Sequence, residues 1–261
     1  MKKTRIDIYM VEKGFSPSRT KAQDLIKAGL VAIRMPGASA NETRAIINSS
    51  ELVDEDQIPQ IVIQSSHLNK YVSRAGLKME AALERLRLDV TNFTVLDVGI
   101  STGGFSDCLL QRGARQILGV DVGHNQLSLK LKSDPRVKSI EGVNAREIHT
   151  NTHVLELAPT AGFELVVIDV SFISLSLVLP SVVKLIHKTK GSCLALVKPQ
   201  FEVGPQGLGK NGIVKDKELY HAVRDKVLGA IKELGGLEID YFESELEGKD
   251  GNQEFFVYFK I

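Results

Sequence analysis

Apolar residues from position 71 onward alternate between two spacings, one typical of strands and one typical of helices. Short apolar runs, which predict buried strands, lie at 93–98, 116–121, 137–140, 163–169 and 192–198. Helical spacing is found near 78–87, 104–112, 125–132, 145–156, 174–187 and 217–234. Strands that alternate with helices form βαβ units, so the pattern predicts a parallel sheet covered by helices.

The last two strand-like segments follow a different pattern. Residues 237–246 and 254–261 are joined by a glycine-containing turn at 248–251, which predicts an antiparallel hairpin. A parallel sheet that ends in such a hairpin is typical of Rossmann-like class I methyltransferase folds. By this fold analogy the predicted class is α/β.

The first 63 residues predict a smaller α+β unit. Within 4–34 there are two short helices, of which the first ends at Gly14 and the second at Gly29, with Ser16 or Ser18 as a cap between them. Strand-like segments follow at 30–33, 45–47 and 61–63. The predicted organisation is a domain over 1–63, a linker over 64–70 and a second domain over 71–261.

Composition and charge narrow the class of protein. The chain has 261 residues, of which 43% are hydrophobic and 25% charged, which is ordinary for a soluble globular protein. The amino end shows no signal-peptide pattern, and no apolar run approaches the ~18 residues of a membrane span. Cys108 and Cys193 have apolar neighbours and predict buried thiols in a reducing compartment. We therefore expect a cytoplasmic protein.

The net charge of +1 is unevenly distributed. Residues 1–34 carry 8 Lys or Arg against 3 Asp or Glu, and residues 112–139 carry 6 against 2. Basic surface of this kind can hold phosphate groups. A solvated helix face is an equally good interpretation of either segment.

A strand, a glycine-rich turn and a helix start follow one another at 94–105 and predict a cofactor site. The glycines allow the backbone to approach a ligand, and the helix start offers free N–H groups to a carboxylate. Asp97, at the strand end, can accept hydrogen bonds from an ammonium group. S-adenosylmethionine carries both groups, whereas the dinucleotide fingerprint G-x-G-x-x-G is absent. The candidate cofactor residues in this segment are Asp97, Gly99, Ser101, Thr102, Gly103, Gly104 and Phe105.

Two further residues extend the predicted cofactor site. Asp121 ends the next strand and suits ribose hydroxyls, although a nicotinamide cofactor would use the same acid. Asn144 follows the third strand, where it suits the adenine or, equally, caps a helix.

Four charged residues stand at the ends of apolar segments or in a distinctive setting: Lys78, Asp169, Lys198 and Glu254. Methyl transfer to a hydroxyl requires removal of a proton and alignment of the oxygen with the methyl carbon. We expect Lys198 to be the base and Asp169 to orient it, while Lys78 and Glu254 position groups and tune the charge. Glu254 is expected to anchor either Lys78 or the substrate ribose. The alternative is a pair of structural salt bridges at strand ends.

These motifs together resemble the FtsJ-type ribose 2′-O-methyltransferases. The resemblance rests on Ser73-Arg74-Ala75-x-x-Lys78, the Asp97 turn, Asp169-Val170-Ser171-Phe172, Lys198-Pro199-Gln200-Phe201-Glu202 and Glu254. It implies a Lys-Asp-Lys-Glu catalytic set, S-adenosylmethionine as the cofactor and ribosomal RNA or ribosomal subunits as the partner. The motifs are more similar to the TlyA branch, which is associated with cytidine 2′-O-methylation and was historically labelled haemolysin.

A second set of positions lies in the amino-terminal segment: Arg5-Ile6-Asp7, Gly14, Ser18-Arg19, Ala22, Ile26, Gly29 and Val31. Together they resemble the RNA-binding domain named for ribosomal protein S4. The usual Asn-Gly turn after its strand is replaced here by Arg34-Met35-Pro36-Gly37. The resemblance implies phosphate contacts that fix position without reading sequence. The expected RNA-binding residues are Arg5, Ser18, Arg19, Lys21, Lys27 and Arg74.

Other interpretations remain open at this point. Methylation of a base would not need the proton-abstracting set, a membrane-active haemolysin lacks sequence support, and an RNA-binding assembly factor would keep the fold without turnover. His149 and His153 are four positions apart, but no further residue at ligand spacing supports a metal site, so none is predicted.

Overall fold

The computed structural model describes residues 3–27, 29–34, 43–54, 60–63, 70–248 and 251–261. It divides into two compact units, Met1–Arg74 and Ala75–Ile261. Most of the predicted linker, residues 64–69, lies outside the described residues, as do most of the segment that follows Arg34 and the centre of the predicted turn at 248–251.

The first unit is a small α+β fold, as predicted. Its core is formed by the apolar faces of the helices and the central strand, and it includes Ile6, Met10 and Ile26. The elements are β1 (Lys3–Arg5), α1 (Ile6–Glu12), α2 (Arg19–Lys27), β2 (Val31–Arg34), β3 (Arg44–Ala45), β4 (Leu52–Asp54) and β5 (Gln60–Ile63). Strand β2 pairs antiparallel with β3 on one side and β5 on the other, while β1 pairs with β4.

Ser18 provides the cap of the second helix. Its Oγ accepts a hydrogen bond from the backbone N–H of Lys21 at 3.2 Å, which satisfies one of the unpaired donors of the first helical turn. Ser16 instead donates to the Ser18 carbonyl at 3.0 Å. Of the two predicted caps, the structure therefore uses Ser18.

The second unit is an α/β fold with one seven-stranded sheet. Five short 3₁₀ segments supplement its helices, at Ala145–Thr150, Val183–Leu185, Pro199–Phe201, Pro205–Gly207 and Lys210–Gly212. The main elements are α3 (Ala75–Leu86), β6 (Thr94–Val98), α4 (Gly104–Gln111), β7 (Gln116–Asp121), α5 (Leu129–Lys132), β8 (Val137–Glu141), α6 (Thr152–Leu157), β9 (Leu165–Ile168), α7 (Leu175–Val182), β10 (Ser192–Val197), α8 (Leu219–Glu233), β11 (Leu237–Glu243) and β12 (Phe255–Lys260).

The strand order in this sheet is β11-β12-β10-β9-β6-β7-β8. Strands β6 to β10 run parallel, and β12 runs antiparallel to both β10 and β11. The predicted parallel sheet and the antiparallel pairing of the last two strands are confirmed. The final strand also inserts between β10 and β11, which the sequence pattern did not predict.

One predicted helix is divided in the structure. The segment 145–156 forms a 3₁₀ helix and then α6, because Asn151 adopts an extended conformation between them. Its side chain accepts a hydrogen bond from the Val154 N–H at 3.1 Å and so starts a new helix.

The point where the sheet changes direction lies between β6 and β9. From β6 the chain proceeds outward through β7 and β8, and then returns to place β9 on the other side of β6. In open α/β sheets the crevice at the carboxyl ends of such strands is where ligands bind. The segments that leave β6 and β9 at this crevice contain Asp97 with its glycine turn, and Asp169.

Candidate active site

The turn after β6 requires glycine at two positions. Gly99 has a φ of 88°, and a Cβ at this position would lie 2.4 Å from the backbone oxygen of Asp169. Gly103 has a φ of 91°, and a Cβ there would lie 2.1 Å from a Leu131 methyl carbon. Side chains are excluded in both places, so the turn packs its backbone closely against its neighbours.

Asp97 is a buried carboxylate with an unused oxygen. Its Oδ2 accepts a hydrogen bond from the Ser106 hydroxyl at 2.6 Å, while its buried Oδ1 has no hydrogen-bond partner among the described residues. Burial raises the pKa of Asp97 to about 7, and the negative charges of Asp169 and Asp121 add to that rise, although the Ser106 hydrogen bond opposes it. A cation bound at Oδ1 would give this oxygen a hydrogen-bond donor and would stabilise the ionised form of the carboxylate.

The residues of the turn therefore fit the amino-acid end of S-adenosylmethionine. The open oxygen of Asp97 is an acceptor for its ammonium group. The first N–H groups of α4, which have no partner within the helix, are donors for its carboxylate.

Asp121 joins the two loops that border the predicted cofactor site. Its carboxylate accepts hydrogen bonds from the backbone N–H of Ser101 at 2.8 Å and of Gly123 at 2.7 Å. A carboxylate has about four acceptor positions, so capacity remains for ribose hydroxyls. The role of Asp121 with the cofactor stays a prediction.

Three other predicted cofactor residues make contacts of their own. The Asn144 side chain accepts from the Arg146 N–H at 3.1 Å and caps the Ala145–Thr150 helix. Phe105 is buried, with its ring centroid 6.2 Å from that of Phe256, so it packs in the core behind the turn. The Thr102 carbonyl accepts from the Ser128 N–H at 3.3 Å. Their predicted contacts with the cofactor are untested.

The sheet register places three of the four predicted catalytic residues at one edge. The last pair of the β10–β12 ladder is Val197 with Phe255, so the next positions, Lys198 and Glu254, lie opposite each other. Asp169 directly follows β9, the parallel neighbour of β10. The residues that end β9 and β10 and the residue that precedes β12 thus meet at the carboxyl edge of the parallel strands.

Two ion pairs connect the four residues. The Lys198 ammonium lies 2.5 Å from Asp169 Oδ1 and donates to the Ser171 hydroxyl at 3.0 Å. Lys78, on α3, is paired with Glu254, whose side chain is only 4% exposed, against 21% for Asp169. The deeper pair is suited to positioning and the more open pair to contact with a substrate. Ion pairing alone is equally compatible with a structural role.

An aromatic pair lies beside the more open ion pair. Phe172 is 91% exposed and has a φ of 63°, a left-handed conformation that is unfavourable for a bulky side chain. Its ring centroid is 5.1 Å from that of Phe201, in the segment after Lys198. A strained, exposed aromatic side chain at a site is suited to stacking on a nucleic-acid base.

In the first unit, a buried carboxylate holds two of the predicted RNA-binding arginines. Arg5 donates from Nε and Nη2 to the two oxygens of Asp7, at 3.1 and 3.0 Å, and Arg19 donates to Oδ2 at 3.1 Å. Gln23 adds a fourth hydrogen bond at 2.7 Å. Burial alone would raise the pKa of Asp7, but the bonds from Arg5, Gln23 and Arg19 lower it to about 2.

The other predicted RNA-binding residues differ in exposure. Lys27 is exposed, and Ser18 uses its hydroxyl as a helix cap. Lys21 is buried, which lowers its pKa; the negative charge of Asp24 opposes this shift, and the positive charge of Arg74 adds to it, so both residues lie near Lys21 in the first unit. A buried Lys21 is less available to a phosphate than the prediction assumed.

The sequence did not single out Ser106, Ser171, Phe172, Glu202 and Asp7, although four of them lie inside quoted motifs. The two histidines are used separately: His149 contacts Ser181 at 2.9 Å and Lys184 at 3.0 Å, and His153 lies 3.7 Å from Glu156. In the described part of the chain, no three His, Cys, Asp or Glu side chains are grouped as metal ligands.

Two family models match this chain. The model of the FtsJ-like methyltransferase matches residues 71–261, and that of the S4 domain matches residues 4–33. The first match contains all four predicted catalytic residues and the cofactor turn. The second contains Arg5, Asp7 and Arg19.

Similar proteins extend over nearly the whole length. The chain is 36% identical to the 16S/23S rRNA (cytidine-2′-O)-methyltransferase TlyA of Mycobacterium tuberculosis, over 99% of this chain and 90% of that protein. It is 37% identical to Hemolysin A of Brachyspira hyodysenteriae, over 98% of this chain and 100% of that protein. A solved structure of a hemolysin-named protein from Streptococcus thermophilus is 35% identical, with a TM-score of 0.72 over 99% of this chain and 88% of the other.

Proposed function

The chain belongs to the FtsJ-like methyltransferase family, and from this premise we propose that it transfers the methyl group of S-adenosylmethionine to the ribose 2′-hydroxyl of a cytidine in ribosomal RNA. The observation that carries the proposal is the meeting of the Lys198–Asp169 and Lys78–Glu254 pairs at the sheet edge that also bears Asp97. Base methylation would not require such a set.

The cofactor supplies a methyl group on a positively charged sulfur, which leaves as a neutral thioether when the methyl is displaced. The residues of this chain align the ribose oxygen and remove its proton. Lys198, in its neutral form, accepts that proton at Nζ. Asp169 and Ser171 hold Nζ in place, since both lie within contact distance of it.

The other pair positions the substrate. The ammonium of Lys78 is a donor for the 2′-oxygen as negative charge develops there, and buried Glu254 holds this ammonium in one orientation. Asp97, the start of α4, Asp121 and Asn144 hold the cofactor.

Contacts with RNA are assigned to both units. In the S4 domain, Arg5 and Arg19 each have N–H groups beyond those that donate to Asp7, and these groups contact phosphates together with Lys27. Near the second unit's ion pairs, Phe172 stacks on the base of the target nucleotide, which must leave its helix to be reached. The reaction takes place in the cytoplasm, where ribosomal subunits are available.

The test is transfer of radiolabelled methyl from S-adenosylmethionine to ribosomal subunits and to naked ribosomal RNA, followed by alkaline hydrolysis. A labelled dinucleotide that resists hydrolysis is expected, because a methylated 2′-oxygen cannot attack the adjacent phosphate. Lys198→Ala is the control and should lose most of the rate while keeping cofactor affinity. Label in single nucleotides would assign the methyl to a base. Cofactor binding without transfer to any particle would favour a non-catalytic assembly factor.

Action on membranes is the competing interpretation, because a relative of nearly equal length carries the name Hemolysin A. Within the residues that the structure describes, no helix is both long and apolar enough to cross a bilayer. Leakage from liposomes by cofactor-free protein would support the membrane interpretation. We expect none above the buffer background.

A further inference from the structure

We infer that Glu202 is a positioning residue that holds the Lys198 loop and the Asp169 loop together for methyl transfer; the inference rests on the function proposed above. The Asp169 loop is defined as residues 169–174, between β9 and α7. The Lys198 loop is defined as residues 198–202, directly after β10. Each loop begins with one member of the reactive ion pair.

Contacts join the two loops at the start, middle and end. At the start, Lys198 contacts Asp169 and Ser171, and in the middle the rings of Phe172 and Phe201 meet. At the far end, Glu202 accepts a hydrogen bond from the hydroxyl of Ser174 and another from the backbone N–H of Leu175, both at 2.6 Å. The loops are therefore connected along their whole length, and Glu202 makes the final connection.

The Glu202 carboxylate is itself tightly held. Its side chain is 2% exposed, and Lys226 on α8 donates to Oε2 at 2.7 Å. It also lies at the amino end of α7, where backbone N–H groups and the helix dipole favour a negative charge. Three donors converge on two oxygens, so the carboxylate has little freedom to move.

A shift at Glu202 would reach Lys198 through a short and stiff segment. The Pro199–Phe201 helical turn begins directly after Lys198, with proline at its first position. The Phe201 N–H donates to the Lys198 carbonyl, and the Glu202 N–H donates to the Pro199 carbonyl, both at 2.9 Å. The backbone between Lys198 and Glu202 thus moves as one piece.

The Asp169 loop requires such support because it contains a strained residue. The left-handed conformation of Phe172 is unfavourable for a bulky side chain and persists only where surrounding contacts fix it. Glu202 fixes Ser174 and Leu175, two and three positions further along. Without this anchor we expect the loop to relax and Ser171 to leave Lys198.

The experiment compares Glu202→Gln with Glu164→Gln in single-turnover methyl transfer and in binding of cofactor and RNA. In Glu202→Gln the amide keeps one oxygen for the Ser174 hydroxyl and the Leu175 N–H, and it turns its own N–H groups toward the remaining donors. Glu164→Gln is the matched control, because Glu164 accepts a backbone hydrogen bond from Thr94 at 2.8 Å at the opposite end of β9, away from both loops. We expect Glu202→Gln to slow transfer by on the order of 100-fold. Both binding affinities should change less than twofold, and Glu164→Gln should stay within about threefold of the wild-type rate.

Hydrogen exchange supplies a readout that is independent of activity. Glu202→Gln should accelerate exchange in residues 169–175 and 198–203, including the Leu175 amide, while the strands of the sheet keep their protection. Full-rate transfer by folded Glu202→Gln, or equal loss in both variants, would overturn the inference. If the wild-type protein transfers no methyl group, the proposed function fails, and the exchange data still decide whether Glu202 holds the loops.

Discussion

Asp7 in the first unit and Asp97 in the second have almost no exposed surface, at 0% and 1%, but they differ in depth and in how fully their oxygens are used. Asp7 accepts hydrogen bonds from Arg5, Arg19 and Gln23, and its pKa falls to about 2. Asp97 lies deeper in the protein and has only the Ser106 hydroxyl as a side-chain donor among the described residues, so burial raises its pKa to about 7. Deeper burial and fewer donors together therefore produce the opposite charge preference.

The difference indicates what each carboxylate is for. Asp7 is satisfied within its own unit and organises the side chains around it. Asp97 remains incompletely satisfied among the described residues, and a buried acceptor without a partner costs about 1–3 kcal/mol unless a ligand supplies the donor. Under the proposed function, the unsatisfied carboxylate of Asp97 receives the ligand, whereas the satisfied carboxylate of Asp7 belongs to the scaffold.

The largest expected difference between the two carboxylates is in cofactor affinity, after each is replaced by an amide. Asp97→Asn removes the charge that pairs with the ammonium of S-adenosylmethionine, so we expect cofactor affinity to fall about 100-fold by calorimetry. The melting temperature should stay the same or rise, because a buried, half-satisfied acid is lost. Asp7→Asn should leave cofactor affinity unchanged, and a comparable loss in that variant would contradict the contrast.

The pH dependence of cofactor binding should follow Asp97. Because its folded pKa lies near 7, above the ordinary 3.8, the carboxyl is mostly protonated below pH 7 and accepts an ammonium poorly. Affinity should fall about tenfold per unit from pH 6.5 to 5.5. In the absence of cofactor, the folding stability depends on pH in the opposite direction. The raised pKa of Asp97 stabilises the native state at low pH, and this stabilisation is lost as pH rises through about 7.

Two controls test whether Asp97 causes the pH dependence of cofactor binding. Asp97→Asn should show a flat profile over the same range, since no group at this position titrates. A wild-type profile that is equally flat would show that Asp97 is ionised without its ligand. The Asp7 carboxylate, with its pKa lowered, should instead contribute stability that is lost only in strong acid, as pH falls from about 4 through about 2.

Much of the fold was predictable because it depends on local periodicity. The apolar runs located β6, β7, β8, β9 and β10 to within one or two residues of their observed ends. The insertion of β12 was not predictable, because strand order depends on long-range pairing. The helix near 145–156 was wrong as a continuous element because Asn151 is a competing cap.

The candidate site was partly predictable for the same reason. Charges at strand ends located Asp169 and Lys198. The sequence left open whether Glu254 anchors Lys78 or the substrate ribose, because Lys78 and Glu254 are 176 positions apart and only the tertiary structure pairs them. The partners of Asp7 and Asp97 likewise required the tertiary structure. For Asp7 the sequence offered one signal, which is an acidic residue directly after Ile6 in a predicted helix with an apolar face.

Asp7→Asn should weaken RNA binding even though it makes the protein more positive. The amide cannot hold Arg5 and Arg19 as the carboxylate does, so both guanidinium groups lose their fixed orientation. We expect about a fivefold loss of affinity for ribosomal RNA in a titration at fixed salt. Asp24→Asn on the same helix removes an equal charge without touching either arginine, and should bind slightly more tightly. Equal gains in both variants would mean that only net charge matters.

Ser106→Ala should give the smallest effect and the most specific one. The hydroxyl of Ser106 donates to Asp97 Oδ2 and opposes the rise in the pKa of Asp97 more strongly than the backbone N–H of Ser106, which the substitution keeps. Without the hydroxyl the pKa of Asp97 should rise further, so that fewer molecules carry the carboxylate at pH 7 and cofactor affinity falls about threefold. At pH 9 the carboxyl is ionised in both proteins, and the difference from wild type should disappear. A loss that persists at pH 9 would instead mean that Ser106 shapes the turn, and that the open oxygen of Asp97 depends on packing as well as on charge.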